Sequence, residues 1–248
     1  MSDRRVLLVR GNREFLLEPG ETLESDLGVL ELPEDVEPGT TVETHLGEPF
    51  EVRRLRGTDL FDHLERTGAP MMPRDVGLVV GHTGLAAGDS VLDAGTGTGV
   101  LAAYLGRLGA EVTTYERDPE FAEVARANMD LAGVTDRVEV RTGDLLEALD
   151  DIEKTFDLLT LDTADAAAVV ERAPDLLEPG GFVATYTPFV ESARDCVEAA
   201  REAGLSSVES LETIQREMEF DDRGSRPSTA GVGHTGYLTF ARFTPRLE

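Results

Sequence analysis

A carboxylate opens a glycine-rich run, Asp93-x-Gly95-Thr96-Gly97-Thr98-Gly99, and a second one, Glu116, closes a later apolar stretch. The two stand at the roughly 20-residue separation that nucleotide sites use. Glycines let a backbone come close to a ligand, and an acid ending the next strand can take both hydroxyls of a ribose. A pyrophosphate would be repelled by Asp93, whereas the cationic methionine end of S-adenosylmethionine would not. The loop is also Asp-x-Gly-x-Gly-x-Gly rather than Gly-x-Gly-x-x-Gly. Both points favour S-adenosylmethionine over a dinucleotide.

Two further acids end apolar runs in the same way, Asp144 after Gly143 and Asp162 after Leu158–Leu161. Ligands of open α/β sheets sit beyond the carboxyl ends of the strands, so all four acids belong to one edge. The reading gives each a separate task. Asp93 faces the methionine end, Glu116 with its neighbour Arg117 lies at the ribose, Asp144 accepts from the adenine amine, and Asp162 points at the transferred methyl group. The competing reading for any one of them is a helix cap or turn, where Asp is common.

These acids need a sheet behind them. SVLDA, EVTTYE, VEVRTGD, FDLLTLD, GFVATYT, the region of VESLETIQ and GYLTFARF read as seven strands. Helical periodicity falls between most of them, as in LAAYLGRLG, PEFAEVARANMDLAG and VESARDCVEAAREAG. The turn-rich DDRGSRPSTAGVGHT before the last strand predicts a return hairpin rather than another crossover. The expected fold is α/β, a Rossmann-like seven-stranded methyltransferase domain over residues 58–248. Residues 1–57 have another texture: VLLVRG, EFLLEPG, GVLELP, TTVETHLG and FEVRRLRG are short β-type runs punctuated by Gly and Pro, which predict a small β-domain. GTDLFDHLERTGAPMMPRD reads as a connector.

With 248 residues the chain can bury a full core. Cys196 is its one cysteine, and His45, His63, His82 and His234 show no ligand spacing, so no disulfide and no metal site are expected. There is no apolar run of membrane-spanning length, and MSDRRVLLVRG lacks the features of a secretory signal, so a cytoplasmic protein is expected. Asp and Glu number 49 against 23 Lys and Arg, a formal net charge of -26, and Lys154 is the one lysine. This acid-rich, lysine-poor balance looks like that of proteins from extreme halophiles. At about 1 M salt the Debye length is roughly 3 Å, so net charge does not exclude an RNA partner there.

Taken together, ETHLGEPFEV, PRDVGLVV, DAGTGTG, YERDPEFAEVARANM, LEPGGFVATYTPFVES and GHTGYLTFAR resemble the tRNA (adenine-N1)-methyltransferase family over nearly the whole chain. The resemblance implies methylation of the T-loop adenosine at position 58 and in some archaeal members its neighbour at 57. It also implies a homotetramer, a β-domain that helps bind tRNA, and Asp162 in the catalytic position, beside the target amine. Three departures mark the substrate side. Met72, Pro73, Arg74 and Asp75 stand where the family commonly has Tyr-Pro-Lys-Asp, so a flipped adenine would meet Met72. Asp162 lacks the prolines of the family's Leu-Asp-Leu-Pro-Asp-Pro run. QREMEFDDRGSRPS lacks the usual tryptophan, although Arg216, Arg223 and Arg226 remain as candidate phosphate contacts. His234 is a further candidate on the substrate side, or with Thr235 a shaper of the final turn. Alternatives are a methyltransferase of the same fold acting on protein isoaspartate or another RNA base, and a non-catalytic tRNA-binding paralogue.

Overall fold

The alternating apolar runs pair into sheets as their period of two requires. The computed structural model describes residues 5–230 and 233–245. The first strands are β1 (Val6–Arg10), β2 (Arg13–Leu17), β3 (Thr22–Ser25), β4 (Gly28–Glu31), β5 (Thr41–Glu43) and β6 (Pro49–Arg54). They form a four-stranded antiparallel sheet in the order β2-β1-β6-β5 and a separate β3-β4 hairpin. Inward-facing Val6, Leu8, Leu30, Phe50 and Val52 give this region a core of its own.

The predicted connector contains a helix, α1 (Gly57–His63), and leads into α2 (Pro73–Thr83). The remaining elements alternate: β7 (Ser90–Ala94), α3 (Val100–Leu108), β8 (Glu111–Glu116), α4 (Pro119–Ala132), β9 (Val138–Thr142), α5 (Leu145–Ala148), β10 (Phe156–Leu161), α6 (Ala166–Glu171), α7 (Ala173–Leu176), β11 (Leu177–Thr187), α8 (Val190–Glu202), β12 (Ser206–Glu212), β13 (Met218–Asp221), β14 (Gly224–Pro227) and β15 (Tyr237–Arg242). All seven expected strands join one sheet in the order β12-β15-β11-β10-β7-β8-β9. Its last strand runs antiparallel to both neighbours, as the return-hairpin reading requires.

Alternation along the strands sends side chains to two separate cores. Val91, Val112 and Leu158 pack under α3 and α4 with Leu105 and Met129, while Leu92, Leu159 and Val183 pack with Val170 and Cys196 on the other face. Each fully buried Leu or Val contributes about 1.5–3 kcal/mol relative to exposure, so helices are needed on both faces. Chain order reverses between β7 and its neighbours β8 and β10. That reversal opens a crevice at the carboxyl edge of β7 and β10.

Candidate active site

The crevice is built by β7 and β10 ending side by side. The Asp162 amide donates to the Ala94 carbonyl at 2.9 Å. Gly95 has a φ of +85°, and a Cβ there would lie 1.9 Å from the Asp162 carbonyl oxygen. Only glycine lets the loop cross the end of β10 at this distance. Gly99, with a φ of +83°, then starts α3, and a Cβ on it would stand 2.5 Å from the Met129 methyl.

Two cavities flank this crossing and share Gly95, Gly97, Phe121 and Asp162 in their walls. The larger, of about 310 Å³, is reached by Glu116, Arg117, Gly143, Asp144 and Asp165. The smaller, of about 130 Å³, lies under Thr67–Met71 and is reached by Asp93, Thr96 and Thr98. Glu116 is nearly buried, and its carboxylate accepts from the Gly97 amide at 2.8 Å and the Asp118 amide at 3.0 Å. It therefore fixes the glycine loop while lining the larger cavity.

Asp93 stands in a row across three strands, opposite Thr114 on β8 and Thr160 on β10. Both hydroxyls donate to its carboxylate. Burial pushes its carboxyl up, partly offset by those two hydroxyls, with the Glu116 charge adding to the rise. Asp93 thus borders the smaller cavity but directs its hydrogen bonds into the sheet. Thr96 joins the row through the Thr114 hydroxyl, and the Thr98 hydroxyl accepts from the Thr67 amide.

Asp144 also serves as a cap: one carboxylate oxygen accepts from the Leu146 amide at 2.9 Å, and the other lies 3.4 Å from Arg117. Arg117 reaches Asp165 at the same distance, bridging the mouth of the larger cavity. Asp162 is exposed into the cleft yet closely ringed by protein. That crowding, with the charges of Asp93 and Glu116, pushes its carboxyl up to about 7. Water in the open cleft reaches the group and screens part of the effect.

The substrate-side candidates are placed differently. Met71, rather than Met72, lines the smaller cavity. Arg74 is instead engaged with Asp75 and Thr235. Arg223 and Arg226 lie on the β13-β14 hairpin, paired with Asp221 at 2.9 Å and Glu219 at 2.7 Å. Arg216 is exposed in the preceding loop. None of the three lines the cleft. His234 contacts Glu212 at 2.8 Å and the Pro188 carbonyl at 3.0 Å, joining the ends of three strands. The sequence reading gave no role of their own to Thr67, Phe121 and Tyr186 and named Asp75 only as part of the Met72–Asp75 string. Thr67 lies in the connector and Phe121 and Tyr186 inside longer strings, while Asp75 and Tyr186 meet at Thr235 only through long-range pairing.

S-adenosylmethionine fits this arrangement on structural grounds. The Thr67 hydroxyl is buried without a hydrogen-bond partner in the wall of the smaller cavity, close to the open face of Gly97. An orphaned hydroxyl there suits the polar methionine end, and a larger cavity edged by Glu116 and Phe121 suits the adenosine. Among the described residues no group of three or more His, Cys, Asp or Glu is placed to hold a metal ion, and no helix is long and apolar enough to cross a membrane.

A methyltransferase-domain family model matches residues 91–181. The chain is 34% identical, over 95% of its length and 93% of the relative's, to tRNA (adenine(57)-N(1)/adenine(58)-N(1))-methyltransferase TrmI of Methanocaldococcus jannaschii. Among solved structures, an S-adenosylmethionine-dependent O-methyltransferase from Thermotoga maritima superposes with a TM-score of 0.81 at 28% identity, covering 99% of this chain and 95% of that one. The tRNA (m1A58) methyltransferase TrmI of Aquifex aeolicus gives a TM-score of 0.72 at 25% identity, covering 96% of each chain. The alignment extends through the small N-terminal sheet as well as the glycine loop. With the site described above, it makes this chain a member of the TrmI family of S-adenosylmethionine-dependent tRNA (adenine-N1)-methyltransferases.

Proposed function

We propose that the enzyme forms N1-methyladenosine in the tRNA T-loop at position 58, with position 57 as a second acceptor, and that Asp162 is its catalytic residue. The observation that carries this reading is the placement of Asp162 at the wall common to both cavities, with a carboxyl tuned to titrate near neutrality. The relative from Methanocaldococcus jannaschii carries both positions in its name.

S-adenosylmethionine, when bound, supplies a methyl group on a sulfonium sulfur. The residues around the cleft have separable tasks. Glu116 takes the ribose hydroxyls with the lone pairs its backbone partners leave open. Asp144, Gly143 and Arg117 border the adenine. Gly95, Thr96, Gly97, Thr98 and Gly99, with Asp93 behind them, shape the seat of the methionine end. The chain's own part is to hold the adenine N1 lone pair toward the methyl group that S-adenosylmethionine would supply, between the walls of the two cavities. Asp162 accepts a hydrogen bond from the target's amino group, which holds N1 in line. As the ring gains positive charge, the same carboxylate stabilises it and takes an amino proton.

The finer features belong to the same proposal. Residues 1–57 form a domain that assists tRNA binding, four copies of the chain assemble, and Arg216, Arg223 and Arg226 with Met72 meet the RNA. The protein works in the cytoplasm, in molar salt. Methyl transfer from labelled S-adenosylmethionine to an unmodified tRNA transcript in molar potassium chloride tests this, with the product nucleoside identified and mapped by mass spectrometry. N1-methyladenosine in the T-loop is the expected result. Cofactor binding without RNA methylation would assign another substrate to the fold.

A further inference from the structure

The turn before β15 has more connections than a turn needs. Thr235 donates its hydroxyl proton to Asp75 Oδ2 at 3.1 Å and accepts from Arg74 Nη2 at 2.9 Å. The Tyr186 hydroxyl interacts with the same Thr235 side chain. A threonine hydroxyl has one proton and two lone pairs, so Asp75 and Arg74 take the proton and one lone pair and leave one lone pair toward Tyr186. Gly236 completes the seat. A Cβ there would lie 2.6 Å from the Tyr186 Cζ and 2.9 Å from its hydroxyl, so the ring rests on bare backbone. His234 holds the same turn to the Pro188 carbonyl, just beyond the end of β11.

The register of the sheet shows what this seat faces. Leu161 of β10 pairs with Thr185 of β11 in parallel, so the residues that follow, Asp162 and Tyr186, emerge side by side at the carboxyl edge. Asp75, only 2% exposed, is held by Thr235 and by Arg74, whose Nε lies 3.7 Å from it. A buried carboxylate of this kind needs its partners, since losing one leaves an uncompensated group in the core.

We propose that Thr235 is a positioning residue for methyl transfer: through one hydroxyl it ties Asp75 and Arg74 at the start of α2 to the turn that seats Tyr186 beside Asp162. The proposal rests on the reading of Asp162 as the catalytic group. Thr235→Val keeps the side-chain shape and removes the junction, and T235S restores it.

The test combines kinetics with a readout independent of turnover. In T235V, kcat should fall about 10- to 100-fold, the scale of a misplaced reacting group, while the Kd for S-adenosylmethionine is unchanged. T235S should recover most of kcat. The chain has four tyrosines and no tryptophan, so labelled tyrosine rings give few resonances, with that of Tyr186 assigned by Tyr186→Phe. That resonance should move in T235V and stay in T235S without cofactor or tRNA present. If T235V does not fold, D75N should give the same kcat loss and the same shift. Unchanged kcat in T235V, equal losses in T235V and T235S, or an unmoved Tyr186 resonance overturns the proposal. Failure of the unsubstituted protein to methylate tRNA overturns the underlying reading, and the resonance then decides the positioning claim alone.

Discussion

Asp162 carries two consequences of its crowded position. With its carboxyl raised to about 7, it is the ionised acceptor only above that pH. Turnover should therefore rise through neutrality on the acid limb of the pH profile. D162N should lower kcat by about 10²–10⁴-fold, the usual worth of a positioned acid or base, while S-adenosylmethionine still binds in a calorimetric titration. The same shift affects stability. A carboxyl raised on folding holds its proton longer in the native state, so its contribution falls as pH rises from the ordinary carboxylate range through about 7. D162N should therefore melt higher than the unsubstituted protein at pH ~8, with the gap closing near pH ~4. Gly95 supplies a purely steric counterpart. G95A places a methyl 1.9 Å from a backbone oxygen at a φ of +85°. The loop must move, so loss of cofactor binding with a destabilisation of about 1–3 kcal/mol is expected in calorimetry and thermal melts.

The strands and longer helices were legible because their signals are local. Asp118 before Pro119 marks the start of α4, and its side chain accepts from the Glu120 amide at 2.8 Å. Apolar alternation gave all seven strands of the main sheet, and the acids at their ends gave the edge where the cleft lies. What escaped depends on pairing between distant segments. Thr114 and Thr160 look like ordinary strand residues until the register sets them on either side of Asp93. That register explains why Asp93 is tied into the sheet. The β13-β14 hairpin was read as turn-rich loop because its strands are short and Gly- and Pro-bearing, and it projects with Phe220 77% exposed. Replacing residues 217–228 by a short glycine linker should leave S-adenosylmethionine affinity unchanged and weaken tRNA binding at least about tenfold, the scale of losing an exposed aromatic such as Phe220 on which a base can stack. Filter binding beside calorimetry separates the two effects.

Across the whole molecule, the formal net charge of -26 sets unusual terms for meeting a polyanion. Many of its surface arginines are already answered by acids: Arg13 by Asp26, Arg53 by Glu51, Arg223 by Asp221 and Arg226 by Glu219. Among the described residues, arginines paired in this way have fewer charges to spend on releasing counterions from tRNA. A basic protein making 6–10 phosphate contacts loses about 10³–10⁵ in affinity between roughly 50 and 200 mM salt. This one should lose less than about tenfold over the same interval, read as a shallow slope of log affinity against log salt. The scarcity of lysine has another consequence. The Lys154 ammonium sits 4.7 Å over the Phe156 ring at the entry to β10, whereas Asp162 follows the exit of that strand. Six residues of strand put the two about 20 Å apart. Amine-directed dyes thus find a single side chain, fixed to the frame and remote from the chemistry, from which an optical reporter can watch the cleft fill without touching it.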